Sequence, residues 1–290
     1  MPSATRPSPD RPSRYRSYPP GSPCGYETVY FRSADSGTLY VNLYIASTLD
    51  WDRLALSQQS EFPSGGTSTL TVERGGGPLD IRLRVPYWAT EFEVTVNGVR
   101  QRTKAAPGSY VTLSRTWRPG DRIRVSAPYR LRIERAADDP TVQSLFYGPV
   151  LLVARSAERT LRGLSFYKDL TLSGDLGAAV RPEGRPLHFT AQGLTLAPFY
   201  LGDDSAYHAY FRRVEPTVVF GRADSGVPNR ARADGLTFLD VLWSGAAFAG
   251  RTRFVQAVRT LADDWLGSGV LTRDERDRIV AAAGRAQLPA

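Results

Sequence analysis

Few side chains in this sequence have the type and spacing that catalysis requires. The two histidines are His188, in the stretch PLHFT, and His208, in AYHAYF. A histidine can bind a metal or move a proton, but neither has a cysteine or a second histidine at ligand spacing. We therefore predict that both histidines pack or hydrogen-bond within the fold. We assign no catalytic, cofactor-binding or metal-binding residue to this chain.

Cys24 is the only cysteine. It cannot form a disulfide within the chain, and a zinc site built from several cysteines cannot form either. As a nucleophile it would need to be a thiolate, and its surroundings supply Glu27 but no histidine or lysine that would lower its pKa. We expect an ordinary thiol at this position.

Three pairs of adjacent acids could suggest glycoside hydrolysis: Asp138-Asp139, Asp203-Asp204 and Asp263-Asp264. That reaction needs two carboxylates that face each other across a sugar, about 5 to 10 Å apart. Neighbouring residues point in different directions, so the first two pairs are predicted to form turns and the third to lie on a solvated helix face. Asp35 and Asp121 are also predicted to be turn residues.

An aromatic series in the last third of the chain allows two interpretations. It comprises Tyr200, Tyr207, Tyr210, Phe211 and Phe220. These rings could form a platform on which a sugar stacks, or they could pack in the core and along an edge strand. The sequence leaves both interpretations open, although core packing is the more common role.

Composition favours a β protein with a sizeable core. Of the 290 residues, 41% are hydrophobic and 11% aromatic, and the 26 glycines and 21 prolines predict many turns. The net charge is +8, but only Lys104 and Lys168 among the 37 basic residues are lysines, and the arginines are scattered. This skew fits arginine-rich codon usage, so we expect no nucleic-acid partner. No long apolar run or signal peptide is visible, so we expect a cytoplasmic protein with no membrane partner.

Short strands separated by turns dominate from residue 28 onward. Residues 39–45 predict one strong strand. Ile81, Leu83 and Val85 alternate with polar residues, which is the period of a strand with one wet face. Asn97-Gly98 predicts a two-residue hairpin. The fold class predicted is therefore mainly β, with antiparallel β-sandwich (jelly-roll-like) domains and a three-helix C-terminal segment.

The helices are predicted after about residue 234. Asp234 could cap the first helix, and the second helix places four apolar residues on one face before it stops at Gly267. Those four are Phe254, Val258, Leu261 and Trp265. Thr272 and Glu275 have the spacing of a capping box at the start of the third helix.

Four segments follow from these patterns. Residues 1–24, rich in proline, arginine and serine, are predicted to be a disordered tail; 25–156 a first β-sandwich; 157–234 a second sandwich portion with a linker; and 235–290 the helices. The strand pattern is weaker over residues 157–186, and the stretch DLTLSGDLGAAVRPEGRP (169–186) is expected to be a long surface connection. Trp88 and Trp117, at predicted strand ends, are expected to be mostly buried.

An ordered series of motifs resembles one enzyme family. The stretches LYVNLYIASTLDW, IRLRVPYWA, VTVNG, SYVTLSRTWRPGDRIRVSAPYRLR and FYGPVLLVA occur in the order found in β-L-arabinofuranosidases of glycoside hydrolase family 127 and its relatives. RPLHFTAQGLTLAPFY and YHAYFRR resemble that family's closing strands. The resemblance covers residues 28 to 215.

The resemblance implies an enzyme of several domains. Family members carry an N-terminal (α/α)6 barrel with the sugar site, followed by β-sandwich domains. The barrel's cysteine nucleophile belongs to a zinc site of three cysteines and a glutamate. Cys24 lies roughly where the family has two adjacent cysteines, but it is single and too close to Glu27, so neither role is carried over to it. We expect residues 1–23 to be unrelated sequence joined to a truncated C-terminal half.

Three interpretations of function stay open. The chain is the non-catalytic sandwich part of such a hydrolase, inactive alone, with zinc only in the complete enzyme. Alternatively it is a free-standing carbohydrate-binding module, which predicts a row of exposed aromatic rings on one sheet. Or it is a structural domain that docks on a separate catalytic barrel, which predicts a large exposed apolar patch.

Overall fold

The structure, a computed structural model, describes residues 13–14, 29–139, 141–156, 158, 160–176, 179–202 and 206–289. Contacts divide the chain into two compact units, Met1–Tyr129 and Arg130–Ala290. The strands of the first unit are β1 (Ser13–Arg14), β2 (Tyr30–Arg32), β3 (Thr38–Val41), β4 (Ser47–Trp51), β5 (Leu54–Ser60), β6 (Thr67–Gly75), β7 (Gly77–Arg84), β8 (Glu93–Val96), β9 (Val99–Arg100), β10 (Tyr110–Trp117) and β11 (Arg122–Ser126).

Two sheets form the first unit. Their strand orders are β1-β4-β5-β6-β11-β8-β9 and β10-β7-β3-β2. Most pairs are antiparallel, whereas β3 pairs with β7, and β1 with β4, in parallel. Because side chains alternate between the faces of a strand, each sheet turns one apolar face inward, and both faces contribute to one core. Its members include Leu39, Val41, Leu56, Leu70, Val72, Ile81, Leu83, Val94, Ile123 and Val125.

The strand predicted over residues 39–45 is shorter than expected. Strand β3 ends at Val41, and β4 of the other sheet begins at Ser47. Only the first residue after β3 keeps a strand-like bond: the backbone N–H of Asn42 donates to the carbonyl oxygen of Val29, 2.9 Å away. The prediction of one continuous strand is therefore wrong, and residues 42–46 form a corner between the two sheets.

Side chains of β5 replace a partner strand at this corner. The Gln58 amide donates to the carbonyl oxygens of Leu43 (3.0 Å) and Ile45 (2.8 Å), and the Ser60 hydroxyl donates to that of Tyr44 (2.7 Å). These bonds satisfy backbone acceptors that would otherwise be lost where the chain leaves a sheet. A pattern of strand-forming residues cannot reveal such donors, because they come from a distant element.

The hairpin predicted at Asn97-Gly98 is confirmed, and the first unit contains a second hairpin nearer its start. Strands β2 and β3 pair around the turn at residues 33–37, and β8 and β9 pair around Asn97 and Gly98, whose φ angles are 52° and 80°. Positive φ at both central residues is the requirement of the favoured hairpin turn, and asparagine followed by glycine meets it at least cost.

The two tryptophans predicted to be buried differ. Trp117 is 1% exposed, and its indole N–H donates to the carbonyl oxygen of Leu79 at 3.0 Å. Trp88 is more exposed, with its ring 6.3 Å from that of Phe62 and 5.4 Å from that of Tyr129. The prediction of mostly buried rings is confirmed for both residues, and Trp88 is the less deeply buried of the two because it lies in a turn after β7 and not in the strand.

The second unit combines a large sheet, a small ladder and three helices. Its main sheet has the order β15-β20-β13-β14-β18-β17-β16, with β12 on β13 and β19 on β14, and β21 pairs with β22. The strands are β12 (Leu131–Arg135), β13 (Val142–Tyr147), β14 (Val150–Arg155), β15 (Gly163–Leu164), β16 (Arg181–Pro182), β17 (Phe189–Ala191), β18 (Leu194–Pro198), β19 (Tyr207–His208), β20 (Phe211–Arg213), β21 (Thr217–Phe220) and β22 (Ala223–Pro228). Short 3-10 helices span Tyr167–Asp169 and Phe199–Leu201.

The C-terminal helices are α1 (Phe238–Ser244), α2 (Arg251–Gly267) and α3 (Arg273–Arg285). The prediction of a mainly β fold with antiparallel sheets and three C-terminal helices is confirmed. On α2 the predicted Phe254, Val258 and Trp265 are buried, while Ala262 takes the place expected for Leu261, which is half-buried.

The caps of the helices agree with the sequence in one case and not in another. Thr272 and Glu275 form the predicted capping box of α3. Asp234 does not cap α1: it accepts a hydrogen bond from the N–H of Leu236 in a turn, and Thr237 caps the helix with Asp240. The capping box of Thr237 and Asp240 therefore sets the start of α1, three residues after the predicted cap.

Residues 169–186 are not merely a surface connection. Leu170, Leu176 and Val180 are almost fully buried in the core of the second unit, as are Leu164 and Phe166 just before them. Leu170, Leu176 and Val180 lie in irregular backbone, so no period of two or of 3.6 reveals their burial.

The four predicted segments stay a prediction. The contact-based division falls between Tyr129 and Arg130 and groups β12–β14 with the helices, whereas the predicted segments separate them. The predicted disordered tail lies mostly outside the described residues. Its described part is the short strand Ser13–Arg14, which pairs with β4.

Candidate functional site

Aromatic side chains occupy the outer face of the four-stranded sheet. Phe31 of β2 and Tyr40 of β3 are cross-strand neighbours, and Arg82 of β7 stands opposite Tyr40 on the other side. Tyr110 of β10 lies on the same face. Phe31 and Tyr110 are 47% and 39% exposed. We refer to Phe31, Tyr40, Arg82 and Tyr110 as the aromatic face.

Strand alternation explains why these rings point outward. Leu39 and Val41 on either side of Tyr40 are buried in the core, and so is Val111, which follows Tyr110. Tyr40 and Tyr110 must therefore face away from the core. Outward positions of a half-buried sheet are usually polar, so exposed rings at such positions make this face a candidate binding surface.

The rings of the aromatic face are held in a fixed arrangement. The centroids of Tyr40 and Tyr110 lie 5.5 Å apart, with the ring planes at 88°. The Arg82 guanidinium lies 5.4 Å from the Tyr40 ring centroid and donates to the Tyr40 hydroxyl at 3.2 Å. The Tyr110 hydroxyl donates to Oδ1 of Asn42 at 2.5 Å.

This geometry sets what the face can bind. Perpendicular rings make a corner and not a flat platform, and the surrounding guanidinium, hydroxyl and amide groups supply donors and acceptors. Apolar ring surface beside a few fixed polar groups suits a small polyol such as a sugar. Sequence analysis missed this site, although the signal was present in aromatic residues at the polar positions of two alternating strands.

The structure does not bring the histidines together as a site. His188 directly precedes β17, and its Nδ1 lies 2.9 Å from the carbonyl oxygen of Pro186. His208 lies in β19, and its Nε2 is buried without a hydrogen-bond partner among the described residues. The hydrogen-bonding role predicted for His188 is confirmed. Cys24 and Glu27 lie outside the described residues.

The acidic pairs behave as structural residues where they are described. Asp139 accepts hydrogen bonds from the N–H (2.9 Å) and hydroxyl (2.6 Å) of Thr141, which lowers its pKa. Asp263 and Asp264 lie exposed on α2, and Asp263 accepts from Nε of Arg276 at 2.7 Å. The predicted turn and helix-surface roles are confirmed for these two pairs, and Asp203-Asp204 lies outside the described residues.

The predicted turn acids of the first unit are also confirmed. Asp35 accepts from the Ser33 hydroxyl and from the N–H of Gly37. Asp121 accepts from the Asn97 amide at 2.7 Å and from the N–H of Arg118 at 2.9 Å. Both carboxylates stabilise turns and have their pKa lowered by these hydrogen bonds.

The aromatic series predicted in the second unit divides into two groups. Tyr200, Tyr207 and Tyr210 are exposed, whereas Phe211 and Phe220 are fully buried. Core packing therefore accounts for the two phenylalanines. The three tyrosines lie at the surface, and the ring centroid of Tyr207 is 5.5 Å from that of Phe199.

Sequence analysis also missed a buried charge network in the second unit. The carboxylate of Asp240, with a 1% exposed side chain, forms ion pairs with Arg135 and with Arg213, the latter at 2.6 Å. It also accepts from the N–H of Thr237 at 2.8 Å. Asp240 thus joins two strands to the start of α1. Since both of its oxygens are occupied, its role is structural.

Glu215 lies beside this network and is ionised with difficulty. Burial raises its pKa to about 7, although the backbone N–H of Phe166 (2.9 Å) and the nearby Arg213 stabilise the charged form. A pKa near 7 suits a general acid or base. Glu215 is nevertheless 7% exposed and bonded to backbone N–H groups, so it serves the core of the unit.

Among the described residues, no group of three or more His, Cys, Asp or Glu side chains lies together as a metal site would require. No described helix is both long and apolar enough to cross a membrane.

Comparison with known proteins gives a relationship for the first unit. Residues 38–129 match the family model described as the β-L-arabinofuranosidase GH127 middle domain. The matched region ends at Tyr129, where the contacts also end the first unit. No curated protein matches the chain.

Solved structures similar to this chain include three glycoside hydrolases. One, described as a glycoside hydrolase, has a TM-score of 0.50 at 18% identity. The matched region covers 64% of this chain and 37% of that protein. A GH127 β-L-arabinofuranosidase from Geobacillus stearothermophilus T6 has a TM-score of 0.48 at 17% identity, with coverages of 64% and 35%. A GH127 β-arabinofuranosidase has a TM-score of 0.46 at 18% identity, with coverages of 64% and 36%.

The matched part of this chain spans little more than a third of those proteins. At these identities the likeness shows the fold alone, and the sequence match to the family model supplies the relationship. Residues 38–129 are thus similar, in sequence, to the middle domain of family 127 β-L-arabinofuranosidases, as the sequence motifs predicted.

Proposed function

We propose that this chain supplies a non-catalytic, β-structured part of a glycoside hydrolase that resembles the β-L-arabinofuranosidases. The match of residues 38–129 to the family's middle domain, which ends where the first unit ends, carries this proposal. In the complete enzyme a catalytic barrel would hydrolyse terminal L-arabinofuranosides or a related sugar. This chain would dock on that barrel and itself form no sugar-cleaving site.

The structural roles of three of the described acids support this proposal. A retaining glycosidase needs a nucleophile and an acid/base group on opposite sides of the anomeric carbon. Asp139 accepts hydrogen bonds within a turn, and Asp263 forms a surface ion pair. Asp240 forms ion pairs with two arginines. None of these three has a free carboxylate facing an open site.

A panel of nitrophenyl glycosides, with zinc and a thiol reductant, tests the proposal. The full chain is expected to give no turnover above buffer on the L-arabinofuranoside, and zinc should not raise its melting temperature. Turnover that disappears in Cys24→Ser would overturn the proposal, because it would place a working nucleophile in this chain.

A second function, carbohydrate binding, is favoured by the aromatic face. Its rings and polar groups are fixed by contacts within the sheet, so little order has to be gained on binding. The rings of Tyr40 and Tyr110 would contact the apolar side of a sugar, and Arg82 would donate to its hydroxyls.

Calorimetric titration with soluble arabinan tests this second function. Tyr40→Ala should weaken binding about tenfold, because a ring contact of about 1.4 kcal/mol is lost. Tyr40→Phe, which keeps the ring, should lose less. Tyr200→Ala, in the second unit, is the matched control. Equal losses from Tyr200→Ala and Tyr40→Ala would contradict a site on the aromatic face.

A further inference from the structure

Strand β10 ends its sheet with one side unpaired. Its only neighbour in the described sheet is β7. The N–H of Val85 donates to the carbonyl oxygen of Ser109 at 2.8 Å, which fixes the odd-numbered residues of β10 as those bonded to β7. On the other side of β7, the N–H of Asp80 donates to the carbonyl oxygen of Gly37 at 3.1 Å. The even-numbered residues of β7 therefore bond towards β3, and its odd-numbered residues bond towards β10.

The even-numbered residues of β10 therefore direct their backbone groups away from β7. Thr112, Ser114 and Thr116 lie at these positions. Among the described residues, none of their three N–H groups has a hydrogen-bond partner. Free N–H and C=O groups along an edge are the template on which an added strand pairs.

The unpaired side of β10 opens into a groove. The segment of Gln101, Arg102 and Thr103 forms its other wall, and residues 112–116 of β10 form the first; the groove has a volume of about 490 Å³. We call this space the edge groove. An edge strand with a facing wall guides an extended segment more closely than an open sheet edge does.

Positive charge lines the edge groove. Arg102 is exposed, and the Arg115 side chain, 39% exposed, lies 5.1 Å from the ring centroid of Trp117. The acid nearest to Arg115 is Asp121, at 4.0 Å, and that carboxylate already accepts from the Asn97 amide. The field of the groove therefore favours an acidic ligand.

We propose that the edge groove binds an extended acidic peptide segment of a partner protein, which adds to β10 as a fifth strand of the sheet. Backbone groups of Thr112, Ser114 and Thr116 bond the added strand, as in other cases of strand addition. Arg102 and Arg115 pair with its acidic side chains. This inference concerns a protein partner and is independent of the sugar-binding proposal.

Charge argues against two other occupants. The chain's own N-terminal 24 residues contain four arginines and a single acid, Asp10. A second copy of this chain would bring Arg102 and Arg115 against the same two arginines. Like charges brought together at an interface oppose association, so an acidic partner fits better than either.

Fluorescence anisotropy tests the proposal with two labelled peptides of the length of β10, one alternating Val and Asp and the other alternating Val and Lys. The full chain should bind the acidic peptide saturably and the basic one at least about tenfold more weakly. Equal binding of the two peptides would overturn the proposal.

The variant Ser114→Pro tests the backbone contacts. Proline removes an N–H that points away from β7, so the bonds between β7 and β10 stay intact, and an edge strand tolerates proline at such a position. Binding of the acidic peptide should weaken about tenfold, whereas Ser114→Thr should bind like the parent chain. Unchanged binding by Ser114→Pro, with its melting temperature retained, would refute strand addition.

A charge-reversal variant keeps the test decisive if Ser114→Pro fails to fold. The double variant Arg102→Glu with Arg115→Glu should reverse the preference for peptide charge, so that the basic peptide binds better than the acidic one.

Sedimentation of the parent chain, which measures its oligomeric state, supplies the last check. A dimer that Ser114→Pro dissociates would assign the groove to a second copy and overturn the acidic-peptide proposal.

Discussion

Among the described residues, the polar side chains buried in the first unit are all neutral, whereas the second unit buries carboxylates as well as neutral groups. Among the described residues, the buried polar side chains of the first unit are Ser47, Gln58 and Ser68. The second unit buries Glu215 and Asp240 and holds Arg213 beside them. The sheets of the first unit are specified mainly by the alternation of apolar residues, while the second depends on particular ion pairs in its interior.

That difference changes what each unit tolerates. A purely apolar core loses stability in proportion to the volume that a substitution removes. A core with buried charges loses stability when one partner is removed, because the remaining charge is left without compensation. The following substitutions separate these two kinds of sensitivity.

Trp117→Ala should have the largest effect on the first unit. Loss of a fully buried indole and of its hydrogen bond to Leu79 is expected to cost about 3 to 5 kcal/mol in urea unfolding. Trp88→Ala removes the same ring from a half-buried site and should cost less. Equal losses at the two positions would show that burial does not govern the stability of this unit.

Asp240→Asn tests the charge network of the second unit. Arg135 and Arg213 would lose their shared carboxylate, at an expected cost of about 3 kcal/mol in the free energy of unfolding. Asp234→Asn keeps an acceptor for the N–H of Leu236 and removes the charge of the exposed pair with Arg232, so it should change stability by less than about 0.5 kcal/mol. If the two variants unfold alike, the network does not stabilise the unit.

Glu215 should make the second unit less stable as the pH rises. Burial raises its pKa from 4.5 to about 7, so the folded state holds a proton that the unfolded state has released between these values. The contribution of Glu215 to the free energy of unfolding is complete below pH 4.5 and is lost as the pH rises through 7. The free energy of unfolding should fall by about 3 kcal/mol across this range. Glu215→Gln should remove this part of the pH dependence, measured by urea unfolding from pH 5 to pH 8, and the exposed Glu158→Gln should leave it in place.

The smallest effect is expected at the cap of α3. Thr272→Ala removes a hydroxyl that accepts from the N–H of Glu275, and it should cost about 1 kcal/mol. Thr272→Ser keeps the hydroxyl and should restore most of the loss. A melting temperature that is the same for both variants would show that the cap contributes nothing.

Local patterns account for the parts of the fold that the sequence predicted. Ile81, Leu83 and Val85 alternate because each strand has one buried face, and Asn97-Gly98 forms a turn because both residues accept positive φ. The capping box of Thr272 and Glu275 is likewise a contact between residues three apart. Each of these signals lies within a few residues of the structure that it specifies.

The features that the sequence did not reveal depend on distant partners. Arg135, Arg213 and Asp240 look like ordinary surface charges until the fold brings them together. The burial of Phe166 depends on core residues far along the chain. The aromatic face lies between these cases: Tyr40 and Tyr110 could have been identified from alternation, but their contact joins residues far apart in sequence.

The corner at residues 42–46 separates two kinds of strand pairing with different folding rates. Beyond it, β4, β5 and β6 form antiparallel neighbours in sequence order, which close short loops. Before it, Thr38 of β3 pairs in parallel with Asp80 of β7, so a long loop must close first. We therefore expect the meander of β4 to β6 to form early and to present Gln58 and Ser60 to the incoming chain. In a pulsed hydrogen-exchange experiment, the amides of β5 should gain protection before those of β3.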